Sequence, residues 1–322
     1  RLANKLFNIK IEESKEDIHV WDDDVKFYNI YNDGGTEPIA SFYLDPYSRP
    51  GEKNGGAWMN VCINKSKLLD KNPVAYLICN GTPPLKEGVV MVKPSLMSFS
   101  EVVTLFHEFG HGLQHMLTEI DESAAAGISN IEWDAVELPS QFMENWCYHG
   151  PTLKSFAKHY ETGEEIPDEL FKKLIDNKNF NSGLAMLRQI YFAMMDLHLY
   201  SNEFNSEKDI INVQKLFASK YLVTPIIEED RFLCSFSHIF AGGYSAGYYS
   251  YKWAEIMSAD AFSLFDECID MNDEVKIKEL GLKFRSTVLS LGGGTAPLEV
   301  FKRFRGRDPE IDALLKHNGL KN

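Results

Sequence analysis

The chain has 322 residues, 33 basic and 47 acidic side chains, a net charge of −14 and 44% hydrophobic residues. That is ample for a large folded core and unlike a disordered chain. The acidity argues against a nucleic-acid binder, whose usual mark is a basic face, and no apolar run approaches the roughly 18 residues of a membrane span. Residues 18–62 are rich in Tyr, Phe, Val and Trp and are broken by NDGG and DPYSRPGEKNGG, which predicts an antiparallel meander. VAYLICN (74–80) and VVMV (89–92) are further strand candidates. From Ser98 the period changes: SFSEVVTLFHEFGHGLQHMLTE reads as a helix opened by a Ser98–Glu101 capping box. Helical patterns follow over 138–149, 151–160, 167–176, 182–203, 207–221, 244–270, 272–290, 297–304 and 309–316. The last is given Asp308 as N-cap and Pro309 in its first turn. LGGGTA (291–296) lacks the Lys-Ser/Thr of a phosphate loop and reads as a turn. With no strong linker, internal repeat or low-complexity run, the expectation is one mainly α (α+β) unit, β-rich over about 18–92 and helical over about 98–322.

The five cysteines, Cys62, Cys79, Cys147, Cys234 and Cys268, are widely spaced and contain no CxxC pair. They argue against a disulfide framework or a cysteine zinc site and for a reducing compartment. The chain opens RLANKLFNIK, without Met or a signal peptide, and is expected to be the middle of a larger protein, with any targeting segment outside it.

The chemistry concentrates in HEFGH. His107 and His111 are four apart and project from one helix face, where both imidazoles can meet one zinc ion. Glu108 points to the side, within reach of water at such a metal. The plain alternative is a chance match on an amphipathic helix. His115 lies about 12 Å along the axis from His107 at the helical rise, so it is taken as a structural or outer-shell histidine. A third ligand must come from elsewhere. NIEWDAVELPSQFMENW (130–146) offers Glu132, Asp134, Glu137 and Glu144 among apolar residues, and acidic groups in such a run want partners. Glu137 and Glu144 are two turns apart on one face. One could ligate zinc while the other accepts a hydrogen bond from a zinc-bound histidine; spacing does not separate these from an exposed acidic stripe. Tyr244, Tyr248 and Tyr251 fall at i, i+4 and i+7, on one side of a helix, preceded by Gly242 and Gly243, which would let a loop bend or hinge. They can be an aromatic core stripe, or phenols that donate to an oxyanion.

FHEFGHGLQHML, GISNIEWDAVELPSQFMENWCY and FSHIFAGGYSAGYYSYKWAE together resemble the thimet oligopeptidase family of zinc metallopeptidases, and within it oligopeptidase A and the organellar oligopeptidases. FYLDPYSRPGEKNGGAWM and LGGGTAPLEVFKRFRGRDPEIDALLKHNGL fit as well, so the resemblance covers nearly the whole chain. It implies a zincin-like helical catalytic domain with a small antiparallel sheet, and that the family's helical N-terminal half is absent. It implies one zinc per chain on His107, His111 and Glu137, with Glu108 as general base and Glu144 supporting the metal shell. It implies His238, Tyr244 and Tyr251 as transition-state groups, with Tyr248, Gly242 and Gly243 in substrate binding. The loop HIFAGGY, which holds His238, has one residue more than the thimet form. The implied activity is hydrolysis of short unstructured peptides by a monomer, in the cytoplasm or alternatively in a mitochondrion or plastid. An extended substrate is expected to add as a strand near VAYLICNGT. Two other readings remain open: a zinc hydrolase of non-peptide amides, and a non-catalytic peptide-binding relative, against which an intact Glu108 speaks.

Overall fold

In the computed structural model, which describes residues 1–88 and 90–321, a short helix α1 (Leu2–Phe7) leads into five strands that form one sheet. They are β1 (Ile9–Glu13), β2 (Lys26–Asn32), β3 (Pro38–Tyr47), β4 (Trp58–Ile63) and β5 (Val74–Gly81), in the order β1-β2-β3-β5-β4. Neighbours run antiparallel except β3 and β5, which are parallel. The expected meander is therefore corrected to a mixed sheet. After β3 the chain does not turn straight back. Buried Asp45 draws the following loop over itself: Arg49 donates to both carboxylate oxygens at 2.8 Å, and Lys53 Nζ reaches Asp45 Oδ1 at 2.9 Å and the Tyr47 carbonyl at 2.8 Å. The chain then forms β4 at the sheet edge and returns as β5 into the gap beside β3. A β-branched, apolar run such as VAYLIC suits a strand paired on both sides. Strand β1, IKIEE, escaped the sequence reading because three of its five residues are charged. A separate hairpin joins β6 (Leu85–Glu87) and β7 (Val90–Lys93); Val89, part of the expected VVMV strand, lies outside the described residues.

Helix α2 (Phe99–Met116) starts with the expected capping box. Glu101 also accepts from the Thr82 N–H at 2.6 Å, which ties the start of the helix to the end of β5. The remaining helices are α3 (Leu138–Asn145), α4 (Gly150–Phe156), α5 (Asp168–Asn177), α6 (Ser182–Ser201), α7 (Glu207–Tyr221), α8 (Phe232–Ser235), α9 (Ser250–Asp270), α10 (Glu274–Phe284), α11 (Pro297–Arg305) and α12 (Asp312–His317). Helix α10 continues through a π turn at 285–289. Among the described residues two apolar cores result. The larger unites the sheet with α2, α3, α9, α10 and α11, with Phe142 stacked on Phe284 at 4.0 Å. The smaller lies between α6 and α7 and takes in Phe236, Ile239 and Tyr248.

Two helix starts differ from expectation. Asp308 and Pro309 do not open a helix, because the segment is pinned to α9. Arg307 donates to both oxygens of buried Asp260 at 2.6 and 2.7 Å, and the Glu310 N–H donates to Asp260 at 2.8 Å; the helix begins only at Asp312. Residues 244–249 are turns rather than the first turns of α9, since Ala246 takes a left-handed φ of 54°.

Candidate active site

Helix α2 carries His107 and His111, and the residue between them that matters most to the fold is Gly110. A Cβ at Gly110 would lie 2.5 Å from the Pro139 carbonyl oxygen and 2.6 Å from Ser140 Cα. The bare backbone lets α3 press onto α2, and this approach delivers Glu137, the residue just before α3. Glu137 Oε2 stands 3.2 Å from His107 Nε2 and 3.1 Å from His111 Nε2. Ser140 Oγ donates to the same oxygen at 2.9 Å, and the Tyr244 hydroxyl donates to Oε1 at 2.6 Å. The second carboxylate left open by the spacing, Glu144, is on the other side of His107. Its Oε1 is 2.6 Å from Nδ1, so that nitrogen donates and Nε2 is turned toward Glu137.

Two imidazole nitrogens and one carboxylate oxygen, all within 4.8 Å of one another, form a nitrogen–oxygen set of the kind that holds a divalent metal with a position left open. The electrostatics agree. Burial opposes ionisation of Glu137, yet the two imidazoles keep its carboxyl well below the usual range. Burial likewise disfavours a charged His107, but the carboxylates of Glu137 and Glu144 outweigh it and raise its pKa to about 10. A buried anion facing two imidazoles is a site that wants a cation. Among the described residues this is the one such metal-ligand cluster.

Glu108, next to His107 on α2, is 5% exposed, and its Oε2 is buried without a hydrogen-bond partner. Burial raises its carboxyl above the ordinary value, although both imidazoles pull the other way. His115 is turned elsewhere: its Nε2 lies 3.0 Å from the Ile63 carbonyl and 3.2 Å from that of Val74, at the ends of β4 and β5.

A cleft of about 860 Å³ opens over these groups. One wall is Gly55 to Val61, ending in edge strand β4; the other holds Trp133, His238, Gly242, Tyr244 and Tyr251. Tyr244 and Tyr251 stack at 4.6 Å although they do not share a helix, and His238 lies 6.4 Å from Tyr251. Burial, reinforced by the Glu137 charge, pushes both phenols up, so they stay protonated donors. Tyr248 is not part of the cleft wall: it is 9% exposed, packs on Phe236 at 5.1 Å and donates to Gln189 at 3.0 Å. Gly243 is also off the wall, against the Trp133 ring. The glycines of LGGGTA are not a ligand loop. Gly293 donates from its N–H to the Ala125 carbonyl at 2.9 Å and leaves no room for a Cβ, supporting the stretch that brings Ile128, Asn130 and Ile131 into the cleft. The sequence reading missed Trp133 and the β4 wall. The signal available for Trp133 was a large aromatic beside Asp and Glu just ahead of α3.

A family model described as Peptidase family M3 matches residues 1–320. The chain is 55% identical over 326 residues to organellar oligopeptidase A, chloroplastic/mitochondrial, of Arabidopsis thaliana, covering 99% of this chain and 40% of that protein. It is 53% identical over 326 residues to a probable cytosolic oligopeptidase A of the same plant, covering 99% and 46%. The chain thus spans less than half the length of these relatives. A solved carboxypeptidase of Pyrococcus furiosus superposes with a TM-score of 0.52 at 13% identity, covering 87% of this chain and 54% of that one, which is a likeness of fold.

Proposed function

The chain belongs to peptidase family M3, and from that membership and the geometry of the cleft we propose that residues 1–322 form the catalytic unit of a zinc endopeptidase acting on short unstructured oligopeptides. The observation that carries the reading is the convergence of His107, His111 and Glu137 beside the unpartnered, buried carboxylate of Glu108. Those three residues would hold one zinc ion, with Glu144 fixing the tautomer of His107. When bound, zinc supplies Lewis acidity, polarising a carbonyl and making water a stronger acid. Glu108 takes the proton of the attacking water and returns it to the leaving amine; a carboxyl raised by burial suits both transfers. Tyr251 and His238, on the facing wall, donate to the developing oxyanion, and Tyr244 joins them when its one hydroxyl hydrogen turns from Glu137 Oε1 to the substrate.

Peptide binding is assigned to β4 and not to the VAYLICNGT stretch. Strand β5 is paired on both sides, whereas among the described residues β4 pairs only with β5 and lines the cleft. Its outer edge would take up an extended peptide as a further strand, with the Val61 N–H released from Asn60 Oδ1, to which it donates at 2.8 Å. Among the described residues no helix is long and apolar enough to cross a membrane. Relatives named as cytosolic and as organellar are both at hand; the cytoplasm is the proposed location and a mitochondrion or plastid the alternative. The test is a cleavage map by mass spectrometry on peptides of graded length, with the zinc-loaded chain and with the chain stripped by chelator. Zinc-dependent cuts at internal bonds of short peptides are expected. Turnover of simple acyl amides with peptides left intact would replace this reading with an amidase, and binding without turnover would replace it with a peptide-binding protein.

A further inference from the structure

Helix α6 carries no residue of the cleft, yet it holds the loop that supplies the tyrosines. Asp196, on α6, is fully buried. Its two oxygens are divided between two backbone donors: the Ala246 N–H donates to Oδ1 at 3.0 Å and the Tyr248 N–H donates to Oδ2 at 2.9 Å. Between those donors the chain makes the left-handed turn at Ala246, φ 54°, an uncommon conformation for a residue with a Cβ. The same face of α6 supports the loop twice more. Gln189, seven residues before Asp196, accepts from the Tyr248 hydroxyl at 3.0 Å, and Tyr200, four residues after it, donates to the Ile239 carbonyl. A buried carboxylate is costly unless donors compensate it, and charge-assisted bonds to backbone N–H groups are strong ones. Asp196 and the turn therefore hold each other in place, and the turn determines where Tyr244 points: across the cleft, to Glu137.

We propose that Asp196 is a positioning residue, which keeps the 244–248 turn in the conformation that presents the Tyr244 phenol to the metal-ligand carboxylate and to the substrate. The proposal rests on reading the cleft as a peptidase site. Asparagine is close to aspartate in shape, but its NH₂ must face one of the two N–H donors, so Asp196→Asn breaks one of the two bonds with little change of volume.

The experiment uses the whole zinc-loaded chain and combines kinetics with hydrogen exchange. In the parent chain the Ala246 and Tyr248 amides, although in a loop, are expected to exchange as slowly as the interior amides of α6, the helix that anchors them. In Asp196→Asn, exchange over 244–249 is expected to rise at least about tenfold while α2 and α3 stay protected. Zinc content is expected to be unchanged, kcat to fall about 10- to 100-fold, and KM to move by less than about threefold, as for misplacement of a group that acts in the transition state. Adding Ala246→Gly to Asp196→Asn is expected to recover part of kcat, since glycine takes the left-handed turn without help. Fast exchange of the Ala246 and Tyr248 amides in the parent chain overturns the proposal, whatever the variant does. So does an unchanged kcat in Asp196→Asn, or a loss of activity that goes with loss of zinc or of the fold. If the parent chain cleaves no peptide at any zinc level, the peptidase reading fails, and the exchange arm still judges the anchor.

Discussion

Two buried carboxylates of the cleft, Glu137 and Glu108, are driven in opposite directions by their surroundings. Glu137 is held ionised by the imidazoles it faces, whereas burial dominates at Glu108 and raises it. Environments that push two carboxyls apart suit the division of labour proposed for them, Glu137 as ligand and Glu108 as base. Glu108→Gln is therefore expected to keep zinc and the melting temperature and to lose about 10²- to 10⁴-fold in kcat, while Glu137→Ala loses zinc. Paired metal analysis and initial rates check this; substantial turnover by Glu108→Gln would remove Glu108 from its role. His115→Ala is expected to keep zinc and to melt earlier, since its imidazole joins the ends of β4 and β5. Asp45 gives a pH test away from the site. Burial raises its carboxyl, but Arg49, Lys53 and Trp21 outweigh that and lower it from 3.8 to about 2. A depressed carboxyl stabilises the fold above its unfolded pKa and ceases to do so as pH falls through the folded one. Asp45→Asn is thus expected to melt below the parent at pH 7, with the gap closing between pH 4 and about 2. A gap independent of pH would mean that shape, not charge, holds the loop after β3.

Between elements, the metal cluster depends on one contact. Helices α2 and α3 meet over Gly110, where there is no space for a methyl group. Alanine is the better helix former, so propensity alone predicts that Gly110→Ala stabilises. The crossing predicts the reverse: a loss of about 1–3 kcal/mol from overpacking, and weaker zinc binding because α3 carries Glu137 away from α2. Calorimetric melting and a zinc competition titration separate the two, and a raised melting temperature with unchanged zinc affinity would refute the crossing argument. The same contact explains what was legible in the sequence. The pattern of α2 could be read because His107, Glu108 and His111 lie within one turn, and local period places them. Whether Glu137 or Glu144 faces both imidazoles could not be read, because it depends on how two helices cross. Strand insertion had the same obstacle: nothing local in VAYLIC tells that it enters beside β3 in parallel. Tyr244 and Tyr251 were read as one helix face and do lie together, but through a left-handed turn at Ala246 that an i, i+4, i+7 pattern does not disclose. Asp196 was invisible for the corresponding reason, since its partners are backbone groups some fifty residues away.

At the scale of the molecule, the cleft is assembled from two cores of unequal size. His107, Glu108, His111 and Glu137 stand on elements of the larger one, which among the described residues buries thirty apolar side chains. His238, Tyr244 and Tyr248 belong to the loop packed on the smaller one, which buries ten. Helix α6, the main support of the smaller core, leaves Leu184, Leu187 and Met194 substantially exposed. Regions with less buried apolar surface open at lower free energy than the centre of the fold. His238 and Tyr244 should therefore part company with His107, His111 and Glu137 before the chain unfolds as a whole. In a urea titration of the zinc-loaded chain, kcat is expected to collapse at a midpoint on the order of 1 M below that of zinc release, read by a colorimetric chelator. Hydrogen exchange in the intermediate range is expected to show α6, α7 and 237–249 open while α2 and α3 remain protected. Coincident midpoints for activity, zinc release and exchange would show a single cooperative unit, in which the smaller core gets its stability from the larger and the tyrosine loop cannot be released alone.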